Sequence, residues 1–126
     1  MQQVVTSAAN PVVKRVRLLA ERKHRRRQNA FVVEGLQPVW RAVSAGRQLE
    51  MLIVAPELLT SAPAAEMVAG LERDGVPVTR VSADIFRRLS DRDGPAGLAA
   101  IVRGGLGGLA GLTVRHDSVF VVLHEL

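Results

Sequence analysis

The chain has 126 residues, 48% hydrophobic and 23% charged, which fits one folded domain and excludes wholesale disorder. It has no cysteine, so disulfides, thiolate metal sites and a cysteine nucleophile are excluded, and no run approaches the roughly 20 apolar residues of a membrane-spanning helix. The net charge of +5 is concentrated: eight of the 17 Lys and Arg residues fall between positions 14 and 27, opposed there only by Glu21, and the rest of the chain is slightly acidic.

In chain order, Met1-Gln2-Gln3-Val4-Val5 lacks the charged-then-apolar order of a signal peptide, and a cytoplasmic location is expected. Asn10-Pro11 is a helix start, with Asn able to cap a free N–H and Pro pre-set for the first helical position. Val12, Val13, Val16, Leu19 and Ala20 then share one face, while Lys14, Arg17, Glu21 and Arg25 project from the other. Continuing that pattern would bring Lys23, Arg26 and Arg27 onto the apolar face. Packing is therefore predicted to stop near Arg22 or His24, with the triple arginine at the helix end or in the next loop.

Ala30–Glu34 reads as a buried strand ended by Gly35, and Leu36, Val39, Trp40 and Val43 as the apolar stripe of a following helix. A second strand is predicted over Met51–Ala55, a helix over 62–74, a third strand over Val76–Val81, and a short helix capped by Ser82 and carrying Ile85, Phe86 and Leu89. Ser90–Gly97 is rich in turn residues, and Leu98–Val102 reads as a fourth strand. This alternation predicts an α/β domain with helices covering a four-stranded, largely parallel or mixed sheet. Gly104–Gly111 holds five glycines and no charge and reads as a connector, after which Val119–Leu123 reads as another strand. The four aromatic residues, Phe31, Trp40, Phe86 and Phe120, all sit in apolar segments and are assigned to the core, which argues against a module that stacks bases on exposed rings.

The localised charge points to a polyanion, because Arg offers phosphate a planar fork of donors and Lys a mobile point charge. RNA is the leading partner, and Lys14, Arg15, Arg17, Arg22, Lys23, Arg25, Arg26 and Arg27 are the candidate phosphate contacts. His24, His116 and His124 have no spacing suited to a metal, no Gly-x-Ser-x-Gly elbow surrounds a serine, and the glycines at 104–108 lack the Lys and Ser/Thr of a phosphate loop. No catalytic residue and no metal site is assigned.

Four segments carry a resemblance: Ser7-x-x-Asn10-Pro11-x-x-Lys14; Arg25-Arg26-Arg27-x-x-Ala30-Phe31-Val32-Val33-Glu34-Gly35; Val81-Ser82-x-x-Ile85-Phe86-x-x-Leu89-Ser90-Asp91; and Gly97-Leu98-x-Ala100. In this order and spacing they resemble the N-terminal substrate-binding domain of SpoU-type, or TrmH-like, RNA ribose methyltransferases. The resemblance implies an L30e-like three-layer fold over residues 1–103, a linker at 104–117, and at 118–126 the first strand of a SPOUT methyltransferase domain. It also implies a second RNA-contact region at Gly35-Leu36-Gln37 and Asp91–Gly97, with Gly35, Gln37 and Gly97 as its candidates. Glu34 there is expected either to meet RNA or to pair with Arg26 or a helix N-terminus.

Family members commonly carry Pro-Gln-Gly where this chain has Pro95-Ala96-Gly97, and the motifs that bind S-adenosylmethionine do not occur among these residues. The resemblance thus implies that the cofactor belongs to a longer parent enzyme, which methylates a ribose 2′-hydroxyl of ribosomal or transfer RNA. This chain alone is expected to be inactive and monomeric, and the parent a homodimer. The second reading is a free-standing L30e-like ribonucleoprotein component without enzymatic activity. The connector and the apolar run behind it favour the first, since such a strand alone would leave a sticky edge.

Overall fold

The structure, a computed structural model, describes residues 3–125. Its elements are β1 (Val4–Val5), α1 (Pro11–Leu18), α2 (Arg22–Gln28), β2 (Ala30–Glu34), α3 (Leu36–Ser44), β3 (Leu49–Val54), α4 (Ala62–Arg73), β4 (Val78–Val81), α5 (Ala83–Leu89) and β5 (Leu98–Arg103), followed by one 3₁₀ turn at Leu109–Gly111. The strands form one sheet in the order β1-β4-β3-β5-β2. β4 pairs in parallel with β1 and β3, whereas β5 pairs antiparallel with β3 and β2. Four strands therefore run one way and β5 alone runs against them. The α/β expectation of a largely parallel or mixed sheet holds, the sheet being mixed through the two antiparallel pairings of β5, with one correction: it has five strands rather than four. β1 has two residues, too few to show a period, and exists only through its pairing with β4.

The two faces of the sheet build two apolar layers. Ala99 and Ile101 of β5, with Ile53 of β3, pack against Val13 and Val16 of α1 and Ile85 and Phe86 of α5. Leu98, Ala100 and Val102, with Leu52 and Val54, pack against Val39 and Ala42 of α3 and Ala64 and Val68 of α4. Alternate residues of one strand thus serve opposite helix layers, as the two-residue period of a strand requires. Burial of Phe86, 2% exposed, contributes about 1.5–3 kcal/mol by itself.

The single basic helix expected after Asn10 is in fact two. Asn10 Oδ1 accepts from the Val12 N–H at 2.9 Å and Pro11 opens α1, as predicted. After Leu18 the chain tightens through Ala20 N–H to Arg17 O and Glu21 N–H to Leu18 O, then restarts as α2 from an extended Glu21. The break solves the facing problem: α2 buries no residue, so its cations never turn toward the core. Asn29 ends it in the left-handed region, at φ 49°.

One further expectation is overturned: Trp40 and Phe120 are exposed rather than core. Val119–Leu123, expected as the first strand of another domain, is exposed and extends none of the strands described here. A strand needs a partner to take its backbone hydrogen bonds, and no described residue pairs with this segment.

Candidate nucleic-acid interface

The eight predicted cations divide by what they touch. Lys14, Arg17, Arg22, Lys23, Arg26 and Arg27 are exposed, and among the described residues none has a carboxylate partner. Arg15 differs: its Nε and Nη2 donate to Glu50 at 2.6 and 2.9 Å, and its Nη1 donates to the side chain of Gln28. Arg25 also differs, because its Nη1 donates to the carbonyls of Leu19 and Ala20 at 3.1 and 2.5 Å. A guanidinium placed there satisfies carbonyls that the end of α1 leaves without helical partners and meets its partial negative charge. Six of the eight thus form an open cationic surface, and two hold the helices that carry it.

The carboxyl ends of β1 to β4 gather at the opposite edge of the sheet, where the second predicted region lies. There β2 turns into α3 at Gly35, which has φ +100° and donates its N–H to Leu98 O at 2.8 Å. Ser90 Oγ donates to Glu34 Oε1 at 2.5 Å, and Arg92 Nη2 donates to Glu34 O at 2.9 Å. The loop before β5 is thereby fastened to the β2–α3 junction, as the prediction that both segments form one region requires. Glu34 is held by Ser90 rather than by Arg26. Gly35 and Gly97 are buried and act through the backbone: a Cβ on Gly97, at φ +79°, would stand 2.8 Å from Ala55 O. Gln37 alone of the three candidates here presents an exposed side chain.

The two regions do not adjoin. α2 leads into the start of β2 and Gly35 follows its end, so they are separated by the strand's length, roughly 13 Å at 3.3 Å per residue. Between them along α3 lies a face of which only Gln37 was predicted. Gln37, Trp40, Arg41 and Ser44, spaced three, four and seven apart, are all exposed, with Trp40 at 57%. The signal for it was in the sequence: the polar residues at 37, 41 and 44 share the side of Trp40, while Val39 and Ala42 take the buried side.

A family model described as MRM3-like substrate binding domain matches residues 10–100. No curated protein matches the chain. Among solved structures, an RNA 2′-O ribose methyltransferase is 36% identical with a TM-score of 0.74, over 93% of this chain and 43% of the other. An AdoMet-bound rRNA methyltransferase from Sinorhizobium meliloti is 28% identical with a TM-score of 0.72, over 91% and 41%. The SpoU methyltransferase AviRb from Streptomyces viridochromogenes, in complex with the cofactor AdoMet, is 24% identical with a TM-score of 0.67, over 87% and 39%, and is similar in fold. The chain spans about two fifths of the length of each.

Proposed function

The chain belongs to the MRM3-like substrate binding domain family, and from that premise we propose that it is the RNA-docking part of an enzyme that methylates ribose 2′-hydroxyls of RNA. The observation that carries this reading is the exposed cationic surface of α1 and α2, which has no carboxylate partner among the described residues. Lys14, Arg17, Arg22, Lys23, Arg26 and Arg27 contact phosphates, which supplies affinity and orientation but not base choice. Arg15 and Arg25 are supports rather than contacts. At the far edge, Gln37 and the amino end of α3, which has no side-chain cap, form a second contact across the length of β2.

The methyl donor of such an enzyme is S-adenosylmethionine, and the residues described here do not fit it. The cavity under Glu34, lined by Val16, Phe86 and Ser90 among others, has a volume of about 20 Å³, room for about one water molecule. An open depression of about 240 Å³ between α4 and β4 offers mainly apolar side chains and the Glu72–Arg80 ion pair, with nothing placed to hold an adenine or an amino acid. Cofactor binding and methyl transfer are accordingly assigned to the parts of the parent enzyme outside this region, and no catalytic residue is placed in it.

The test is RNA affinity against salt for the wild type and for Arg26→Ala/Arg27→Ala, a pair that leaves the capping Arg25 in place. Each lost phosphate contact lowers the slope of log affinity against log salt by roughly 0.7–0.9, so the double variant shows a slope shallower by about 1.5. Equal affinities and slopes would remove α2 from the interface.

A further inference from the structure

We propose that the outer face of α3 is a stacking platform for an unpaired base of the RNA, with the indole of Trp40 as its floor. The inference rests on the RNA-binding reading and adds a second kind of contact, to a base rather than to phosphate. Four side chains make a diamond on the helix surface: Gln37 at one corner, Trp40 and Arg41 in the middle, Ser44 at the other corner, each three or four residues from its neighbours. They supply a planar ring, an amide that both donates and accepts, a guanidinium and a hydroxyl. That is the inventory by which single-stranded bases are held, through stacking, hydrogen bonds to the base edge and a cation for the adjoining phosphate.

Charge and continuity commit the face to nucleic acid. Residues 36–44 contain no Asp or Glu, and Arg41 and Arg47 add positive charge. Arg47 brings its Nη1 to within 2.8 Å of where a Cβ on Gly104 would lie, and the Gly104 N–H donates to Asn29 O, the residue that ends α2. The turn that follows α3 and the end of α2 therefore meet at Gly104, which places the carboxyl end of the Trp40 helix on the side of the domain that carries the cations of α2. A face built to dock protein would surround the indole with exposed apolar side chains. Here, among its neighbours one turn away, Val43 is 37% exposed and Leu36 is half-buried in the core layer, while Gln37 and Ser44 are polar and exposed.

Trp40 is the only tryptophan and the chain has no tyrosine, so its intrinsic emission reports this site alone. The intact chain is titrated with a short single-stranded RNA of mixed sequence and with the same sequence as a paired duplex; Trp40→Ala, Trp40→Phe and Arg26→Ala/Arg27→Ala are titrated with a labelled copy of the single strand. The single strand is expected to quench the emission and the duplex to leave it nearly unchanged. Trp40→Ala should bind about tenfold more weakly with an unchanged salt slope, and Trp40→Phe within a few-fold of wild type. Unchanged affinity in Trp40→Ala and no quenching, with Arg26→Ala/Arg27→Ala still weakened, would overturn the platform and leave the phosphate reading standing. Wild type that binds no RNA would overturn both. Quenching by the duplex equal to that by the single strand, or a blue shift on concentrating the protein without RNA together with dimerisation in solution scattering, would also overturn it, the latter assigning the face to a second copy of the chain.

Discussion

Glu50 on β3 holds Arg15 of α1 in a two-pronged ion pair, Nε to Oε2 at 2.6 Å and Nη2 to Oε1 at 2.9 Å. The same carboxylate takes Arg103 Nε at 2.9 Å. Both guanidinium groups reach on to Gln28, Arg15 to its side chain and Arg103 to its carbonyl at 3.3 Å. One acid thus fixes the end of a helix that buries nothing. Glu50→Gln removes a negative charge beside a basic segment, which on charge alone would tighten RNA binding. With the anchor weakened, the expected outcome is the reverse: weaker RNA binding, and a loss of about 1 kcal/mol of stability because the partly buried guanidinium of Arg15 and the exposed one of Arg103 lose their charged acceptor. Affinity at fixed salt and a urea midpoint test both, and tighter binding would show that Glu50 acts only as a charge.

Arg25 and Arg26 are adjacent and chemically identical, yet their surroundings set opposite expectations. Arg25→Ala removes the bonds to Leu19 O and Ala20 O at the end of α1 and should cost about 1.5 kcal/mol. The salt slope of RNA binding should change little. Arg26→Ala, at an exposed position without a partner among the described residues, should leave stability within about 0.5 kcal/mol and lower the salt slope. Paired thermal melts and salt titrations separate the two, and identical behaviour would mean that the cap is not formed in solution.

How far the sequence exposed this architecture depended on whether the relevant signal was local. Ala30–Glu34 and Leu98–Arg103 were legible as strands because each is a short apolar run with β-branched residues closed by a glycine; that β2 lies at the sheet edge, half-buried beyond Ala30, was not. The direction of β5 was not, since a strand buried on both faces has the same composition whichever way its neighbours run. The split between α1 and α2 was half legible: the apolar stripe fails at Arg22, but whether the chain then loops or starts a new helix is decided by distant anchors on Gln28. Trp40 was misplaced because hydrophobicity outweighed phase. One residue after the buried Val39 it is turned about 100° from the core, and Ala42, not Trp40, completes the buried row. Of the candidate site, charge density was readable and its division into contacts and supports was not, because Glu50 lies 35 residues from Arg15.

Gly97 and Gly94 share a loop but not a constraint. A Cβ on Gly97 would stand 2.8 Å from both Ala55 O and Leu58 Cβ and 3.0 Å from Leu59 N, at a φ of +79°. Backbone strain and overpacking add there, and Gly97→Ala should cost roughly 2–4 kcal/mol. A Cβ on Gly94 meets nothing within 4 Å and its φ is not positive, so Gly94→Ala should be neutral or slightly stabilising through the unfolded chain. Urea midpoints measure both. A mild Gly97→Ala would show that the loop between β3 and α4 yields.

Glu72 of α4 takes two hydrogen bonds from Arg80 of β4, at 3.2 and 2.9 Å. Those bonds, with the guanidinium charge and against a smaller opposing effect of desolvation, hold its carboxyl below the usual carboxylate range. The folded chain therefore binds this proton more weakly than the unfolded chain. The pair's contribution is fully present above the ordinary Glu value and is lost as pH falls through the lowered one. Glu72→Gln should melt below wild type at neutral pH, and the gap should close on acidification. Melting curves across the acid range measure it; a gap independent of pH would mean that Glu72 matters through packing rather than charge.

α2 sets like charges four residues apart, Arg22 with Arg26 and Lys23 with Arg27, each pair costing a few tenths of a kcal/mol. It has seven residues, too few for a helix to persist in water without outside support, and no apolar burial to offset the repulsion. Its shape is therefore kept by the bonds made from its middle residue, Arg25, and its last, Gln28. A polyanion laid along it relieves the repulsion that the fold leaves in place. Added RNA should slow amide exchange in α2 more than in α4, and the effect should fade at high salt as counterions screen the same charges. Protection spread evenly over both helices would indicate that RNA stabilises the domain as a whole instead of resting on this helix.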